Sequence, residues 1–157
     1  MEADMGEQGI PCGRKRCLGK EYSCSMELSL AVIGGKWKPL ILWHLRDVPT
    51  LRFSALRRTM PIITQKMLTQ QLRELESDGM ISRTVFAEVP PRVEYGLTDP
   101  GRDIIPILEA LCRFGKQFEA RFGVESAEPV PSQPADAPAD DADLALSDGA
   151  VRRRAAR

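Results

Sequence analysis

Gln65, Lys66, Thr69, Gln70 and Arg73 follow Thr64 at spacings that gather them on one side of a helix. At about 100° per residue the five span one arc of roughly 140° that starts at Gln65, and Met67, Leu68, Leu72 and Leu75 take the opposite arc. Such an apolar arc is core. The polar arc carries side chains that pair with base edges and phosphates: Gln with adenine, Lys or Arg with guanine, Thr with a thymine methyl. A solvated helix face is the plainer reading of the same residues. The carboxylates Glu74, Glu76 and Asp78 tip the balance, because all fall in the second half. The first half is left free of acid, and that is the half a recognition helix inserts into the major groove.

Other groups extend this chemistry. Arg92 follows Pro90-Pro91 at the junction of two candidate strands. That placement suits a wing tip set against the minor groove or its phosphates. Lys36 and Lys38 begin a helix whose outward amides also favour phosphate. Arg52, Arg57, Arg58 and Arg83 read as solvated surface charges unless the fold places them at the DNA. Cys12, Cys17 and Cys24 do not complete a zinc set, since no fourth ligand lies nearby. Cys112 reads as a small buried hydrophobe. His44, beside Trp43, reads as a packed or surface imidazole.

The elements that must position these groups are legible in order. Ser23 or Ser25 can cap a first helix bearing Met26, Leu30 and Ile33, which Gly34-Gly35 ends. A second helix carries Trp37, Ile41 and Leu45, with Pro39 tolerable only in its first turn. Leu51-Arg52-Phe53 is short and extended, and Ser54 caps a short helix to Met60. Pro61 breaks the chain. Thr64 caps the polar-faced helix, which runs to Asp78 and stops at Gly79. Candidate strands Ile81–Val89 and Val93–Thr98 follow; Val93, Tyr95 and Leu97 alternate as in a half-buried strand. A last helix carries Ile104, Leu108, Leu111, Gly115, Phe118 and Phe122 in one stripe, and Pro106 should kink it. The predicted fold is mainly α with a small β-hairpin wing: a winged helix-turn-helix.

The 157 residues hold 22 basic and 22 acidic groups. Balanced net charge requires a DNA binder to cluster its cations on one face. Residues 1–22 are expected to form a mobile arm, 23–123 the domain, and 124–157 a disordered tail rich in Ala, Pro and Asp. No apolar run spans a bilayer and the first residues hold no signal-peptide core, so the expected location is cytoplasmic. Neither a cofactor nor a metal is called for. One histidine, no phosphate-cradling glycine loop and no nucleophile constellation argue against an enzyme. A winged helix used only for protein contacts is the stronger competitor. Lys66 and Arg73 argue against it, being ill suited to the core of a protein interface.

Taken together, several stretches resemble the HxlR-type branch of winged-helix regulators, relatives of the MarR group. They are Ile33-Gly34-Gly35-Lys36-Trp37, residues 52–58, Gln65-Lys66-Met67-Leu68-Thr69, residues 72–79, residues 91–98 and Gly101. They span about residues 24–119 in one order. The turn before the polar helix departs slightly, reading Pro61-Ile62-Ile63-Thr64 where many members have Gly after the Pro and Ser at the cap. The resemblance implies a homodimer on a palindromic operator in double-stranded DNA. It implies that the Thr64–Asp78 helix reads bases and that the loop at Pro90–Arg92 is the wing. It further implies a dimer interface built by the first and last helices, hence by Met26, Leu30, Ile104, Leu108, Leu111 and Phe118. The last-helix stripe agrees independently, being longer than so small a core needs. Several such regulators sense quinones, aldehydes or disulfide stress through a cysteine that matches Cys24. A thiol at a helix start faces outward amides, a setting that favours reactivity. A small-molecule or oxidant effector is thereby implied.

Overall fold

A computed structural model describes residues 13–125. The chain divides into two compact units, Met1–Gly34 and Gly35–Arg157.

In the first unit, β1 (Lys15–Cys17) and β2 (Lys20–Tyr22) form an antiparallel hairpin with Cys17 opposite Lys20. Its turn is Leu18-Gly19, both at positive φ. This hairpin lies within the stretch expected to form an arm; Cys12 lies outside the described residues. Helix α1 (Ser25–Ile33) follows. Its cap is neither serine considered from the sequence but Cys24, whose Sγ accepts from the Glu27 backbone N–H at 3.4 Å. Glu27 reaches back to accept from the Ser23 N–H at 2.7 Å, which ties the residue ahead of the cap to the first turn. Gly34 ends α1, donating to the Leu30 carbonyl at 2.7 Å.

The second unit holds α2 (Trp37–Leu45), β3 (Leu51–Arg52), α3 (Phe53–Thr59), α4 (Gln65–Ser77), β4 (Ile81–Phe86), β5 (Arg92–Leu97), α5 (Asp99–Asp103) and α6 (Ile105–Phe122). The strands form one antiparallel sheet in the order β3-β5-β4, with Leu51 opposite Tyr95 and Phe86 opposite Arg92. Ile41, Leu42 and Leu45 of α2, Phe53 and Leu56 of α3, Leu68, Leu72 and Leu75 of α4 and Val93 and Tyr95 of β5 make the buried core. Full burial of each such side chain contributes about 1.5–3 kcal/mol. This core seats α4 with one face inward, as its periodicity predicts.

Two boundaries differ from expectation. Arg52, not Ser54, occupies the N-cap of α3 and makes no side-chain cap bond. The single kinked last helix is two helices that meet at Ile104, with Pro106 in the first turn of α6. A missing N–H costs nothing in a first turn, so the chain breaks ahead of the proline instead of bending around it. Thr98 clamps this corner: it caps α5, and its hydroxyl donates to the Gly79 carbonyl at 2.6 Å. Among the described residues no helix is long and apolar enough to cross a membrane. The expected tail lies outside the described residues beyond Glu125.

Candidate nucleic-acid interface

Helix α4 begins at Thr64, whose backbone is extended and whose hydroxyl accepts from the Met67 N–H at 3.2 Å. A cap of this kind is worth about 1 kcal/mol. It fixes where the helix starts and therefore which side chains its first turns project. Gln65, Lys66, Gln70 and Arg73 are exposed and Thr69 is half-buried, so the structure gathers all five on the outer side of α4. Met67, placed in the core arc by periodicity, is 37% exposed, and Ile62 in the preceding turn is also exposed. Both add apolar surface at the helix start, of the kind that meets thymine methyls.

Arg57 joins this set, though its sequence position reads as plain surface. Its guanidinium donates to Gln65 Oε1 at 3.2 Å across the turn between α3 and α4. The available signal was adjacency. Arg57 and Arg58 end the helix that directly precedes the reading helix.

Other candidates stand elsewhere. Lys38 is 6% exposed, with Nζ 2.9 Å from Glu74 and 3.9 Å from Asp78. A lysine spent on two carboxylates inside the unit is not a surface phosphate contact, so that expectation is corrected. Lys36 is exposed, with Nζ 4.7 Å from the Trp37 ring centroid.

Arg92 is also not the free wing tip the sequence suggests. It pairs with Phe86 at the base of the loop, and the loop itself exposes Glu88 and Val89. Its guanidinium lies 4.0 Å over the Phe86 ring and contacts Glu88 at 3.1 Å and Glu94 at 3.2 Å. Glu94 is a hub here, accepting from the Thr50 hydroxyl at 2.7 Å and thus tying the wing to the chain entering β3.

The remaining candidate residues separate by burial. Leu108 is buried within its own unit, whereas Leu111 and Phe118 of α6 and Met26 and Leu30 of α1 are exposed. Ile104 is half-buried at the α5–α6 junction. Cys112 is exposed on α6, contrary to the expected buried thiol. Cys24 is half-buried. His44 is half-buried, and burial, helped by nearby Arg46, holds its pKa below the ordinary histidine value. Among the described residues no three His, Cys, Asp or Glu side chains gather as a metal site.

A model of HxlR-like helix-turn-helix proteins matches residues 32–122, the stretch that carries α2, α4 and the wing. The chain belongs to the HxlR-like helix-turn-helix family. An uncharacterized HTH-type transcriptional regulator of Methanothermobacter thermautotrophicus is 58% identical over 98 residues, covering 62% of this chain and 74% of that protein. The uncharacterized HTH-type regulator YtcD of Bacillus subtilis is 57% identical over 96 residues, covering 61% and 75%. Among solved structures, the redox regulator HypR in its oxidized form superposes with a TM-score of 0.57 at 49% identity, covering 60% of this chain and 96% of HypR. This HxlR-like chain is accordingly a DNA-binding transcriptional regulator of the winged helix-turn-helix type.

Proposed function

We propose that this regulator reads a specific palindromic operator as a homodimer, with α4 in the major groove. The observation that carries this reading is the outer face of α4. Gln65, Lys66, Thr69, Gln70 and Arg73 project from a capped helix whose first half holds no carboxylate. Arg57 adds a cation beside Gln65. Winged-helix dimers place two such helices in successive major grooves, about one helical turn apart, which is why a palindrome is expected.

Dimerisation is supported by exposed apolar surface. Leu111, Phe114, Phe118 and Phe122 line one side of α6, and the last three rings pack in sequence with centroids 6.0 and 4.5 Å apart. A free surface helix rarely keeps such a stripe in water, and a second copy supplies a matching one. Met26 and Leu30 of α1 offer further apolar surface.

Redox or electrophile responsiveness through Cys24 completes the proposal. Its sulfur is the acceptor that caps α1, so oxidation or alkylation alters the cap itself. A change at α1 shifts the dimer seam, and with it the spacing of the reading helices. HypR, at 49% identity, is described as a redox regulator. The test is DNA binding titrated with diamide or a quinone, in wild type and Cys24→Ser. Loss of binding in wild type alone supports the role; equal responses remove it. A mobility shift with genomic fragments separates DNA reading from a protein-only interaction module.

A further inference from the structure

Lys38 is the buried cation of α2, and nothing in DNA reading as described above uses it. A lysine head taken out of water is costly unless it is paired. Its partners are Glu74 and Asp78, four residues apart on one face of α4. Each charge is poorly placed within its own helix. Lys38 sits in the first turn of α2, at the positive pole of the helix dipole. Glu74 and Asp78 sit at the negative pole of α4. The meeting of the two helix ends offsets this placement, so the trio favours a juxtaposition and not helix formation.

The Glu74 carboxylate has a second contact that points outward. One oxygen, Oε2, faces Lys38 Nζ at 2.9 Å, and the other, Oε1, accepts from Gln70 Nε2 at 3.0 Å. A carboxylate can only accept, so it fixes which way the Gln70 amide is turned. The amide oxygen and the remaining N–H are left for a ligand. That donor–acceptor pair is what adenine's N7 and N6 edge requires. The apolar side chains that α2 and α4 bury, such as Ile41, Leu42, Leu72 and Leu75, supply no such direction.

We propose that Lys38 is a positioning residue for operator recognition, acting through Glu74 to preset the Gln70 amide while touching no DNA itself. The inference rests on the reading of α4 as the base-contacting helix.

A double-mutant cycle on the full chain tests it. The probe is the duplex that wild type selects from random sequence. Variants are Lys38→Met, Gln70→Ala and their combination, with Glu74→Gln as a second, milder disruption that keeps shape and fold. Circular dichroism fixes a temperature at which every variant is folded. Lys38→Met is expected to cost about tenfold on the selected duplex in the wild-type background and less than about twofold in the Gln70→Ala background, the signature of coupled residues. Glu74→Gln should couple to Gln70→Ala in the same way. The salt slope of binding should stay that of wild type. Additive effects overturn the inference, and so does a slope reduced by about 0.9 per lost contact, which marks a direct phosphate contact. If wild type selects no sequence, the base-reading proposal fails and this inference with it. If it selects one and the cycle is additive, only the inference fails.

Discussion

The Arg92 guanidinium is stacked 4.0 Å over the Phe86 ring and held between Glu88 and Glu94 at 3.1 and 3.2 Å. A side chain so engaged must exchange carboxylate for phosphate to serve as a wing contact. Glu88 is exposed at the loop, so its ion pair contributes about 0.2–1 kcal/mol. Glu88→Gln should therefore tighten binding to selected and random duplexes alike, by up to about fivefold. Arg92→Ala should weaken both. Fluorescence anisotropy titration reads each effect; a Glu88→Gln variant that binds like wild type would show that Arg92 does not leave its carboxylates.

Burial divides the last-helix stripe into two kinds of residue. Leu108 is 4% exposed and Phe118 is 54% exposed. Leu108→Ala should cost about 2–5 kcal/mol in urea unfolding with no change of oligomeric state. Phe118→Asp should leave the fold near wild-type stability and produce monomers. Sedimentation velocity separates the two outcomes, and a dimeric Phe118→Asp variant would move the interface away from α6.

Gly101 sits where a Cβ would collide with the Met80 carbonyl oxygen, at the corner that Thr98 clamps to Gly79. The obstacle is backbone and cannot swing away. Gly101→Ala should destabilise the chain by roughly 1–3 kcal/mol. An unchanged denaturation midpoint would mean that α5 is free to shift away from Met80.

His44 gives the expected pH dependence. Burial and Arg46 lower its pKa in the folded chain, so the unfolded chain binds the proton more readily. Its contribution to stability is complete above the ordinary histidine value of about 6.5 and is lost as pH falls toward the folded pKa. Replacing it with Gln should flatten the stability profile below that pH. An identical acid slope in the variant would assign the loss to carboxylates.

How much of this was legible depended on whether the signal was local. The α4 face, the Thr64 cap and the Gly79 stop follow from spacing within one helix. Lys38 was misread because a lysine at a helix start looks solvated, and its partners lie far along the chain on another element. The engagement of Arg92 is hidden for the same reason, since Glu94 and Phe86 reach it only once β4 and β5 pair. The β1–β2 hairpin gave no apolar alternation, as charged residues fill most of its six strand positions. Cys24 as a cap was hidden by better-known capping serines on either side.

The central claim is that α4 reads bases, and a comparison of two affinities tests it most directly. Binding of wild type, Gln65→Ala and Lys66→Ala is measured on the duplex wild type selects and on a random duplex of equal length, at one salt concentration. If α4 reads bases, each substitution should cost about 1–3 kcal/mol on the selected duplex and much less on the random one. Equal losses on both duplexes would contradict the account, leaving Gln65 and Lys66 as backbone contacts or bystanders.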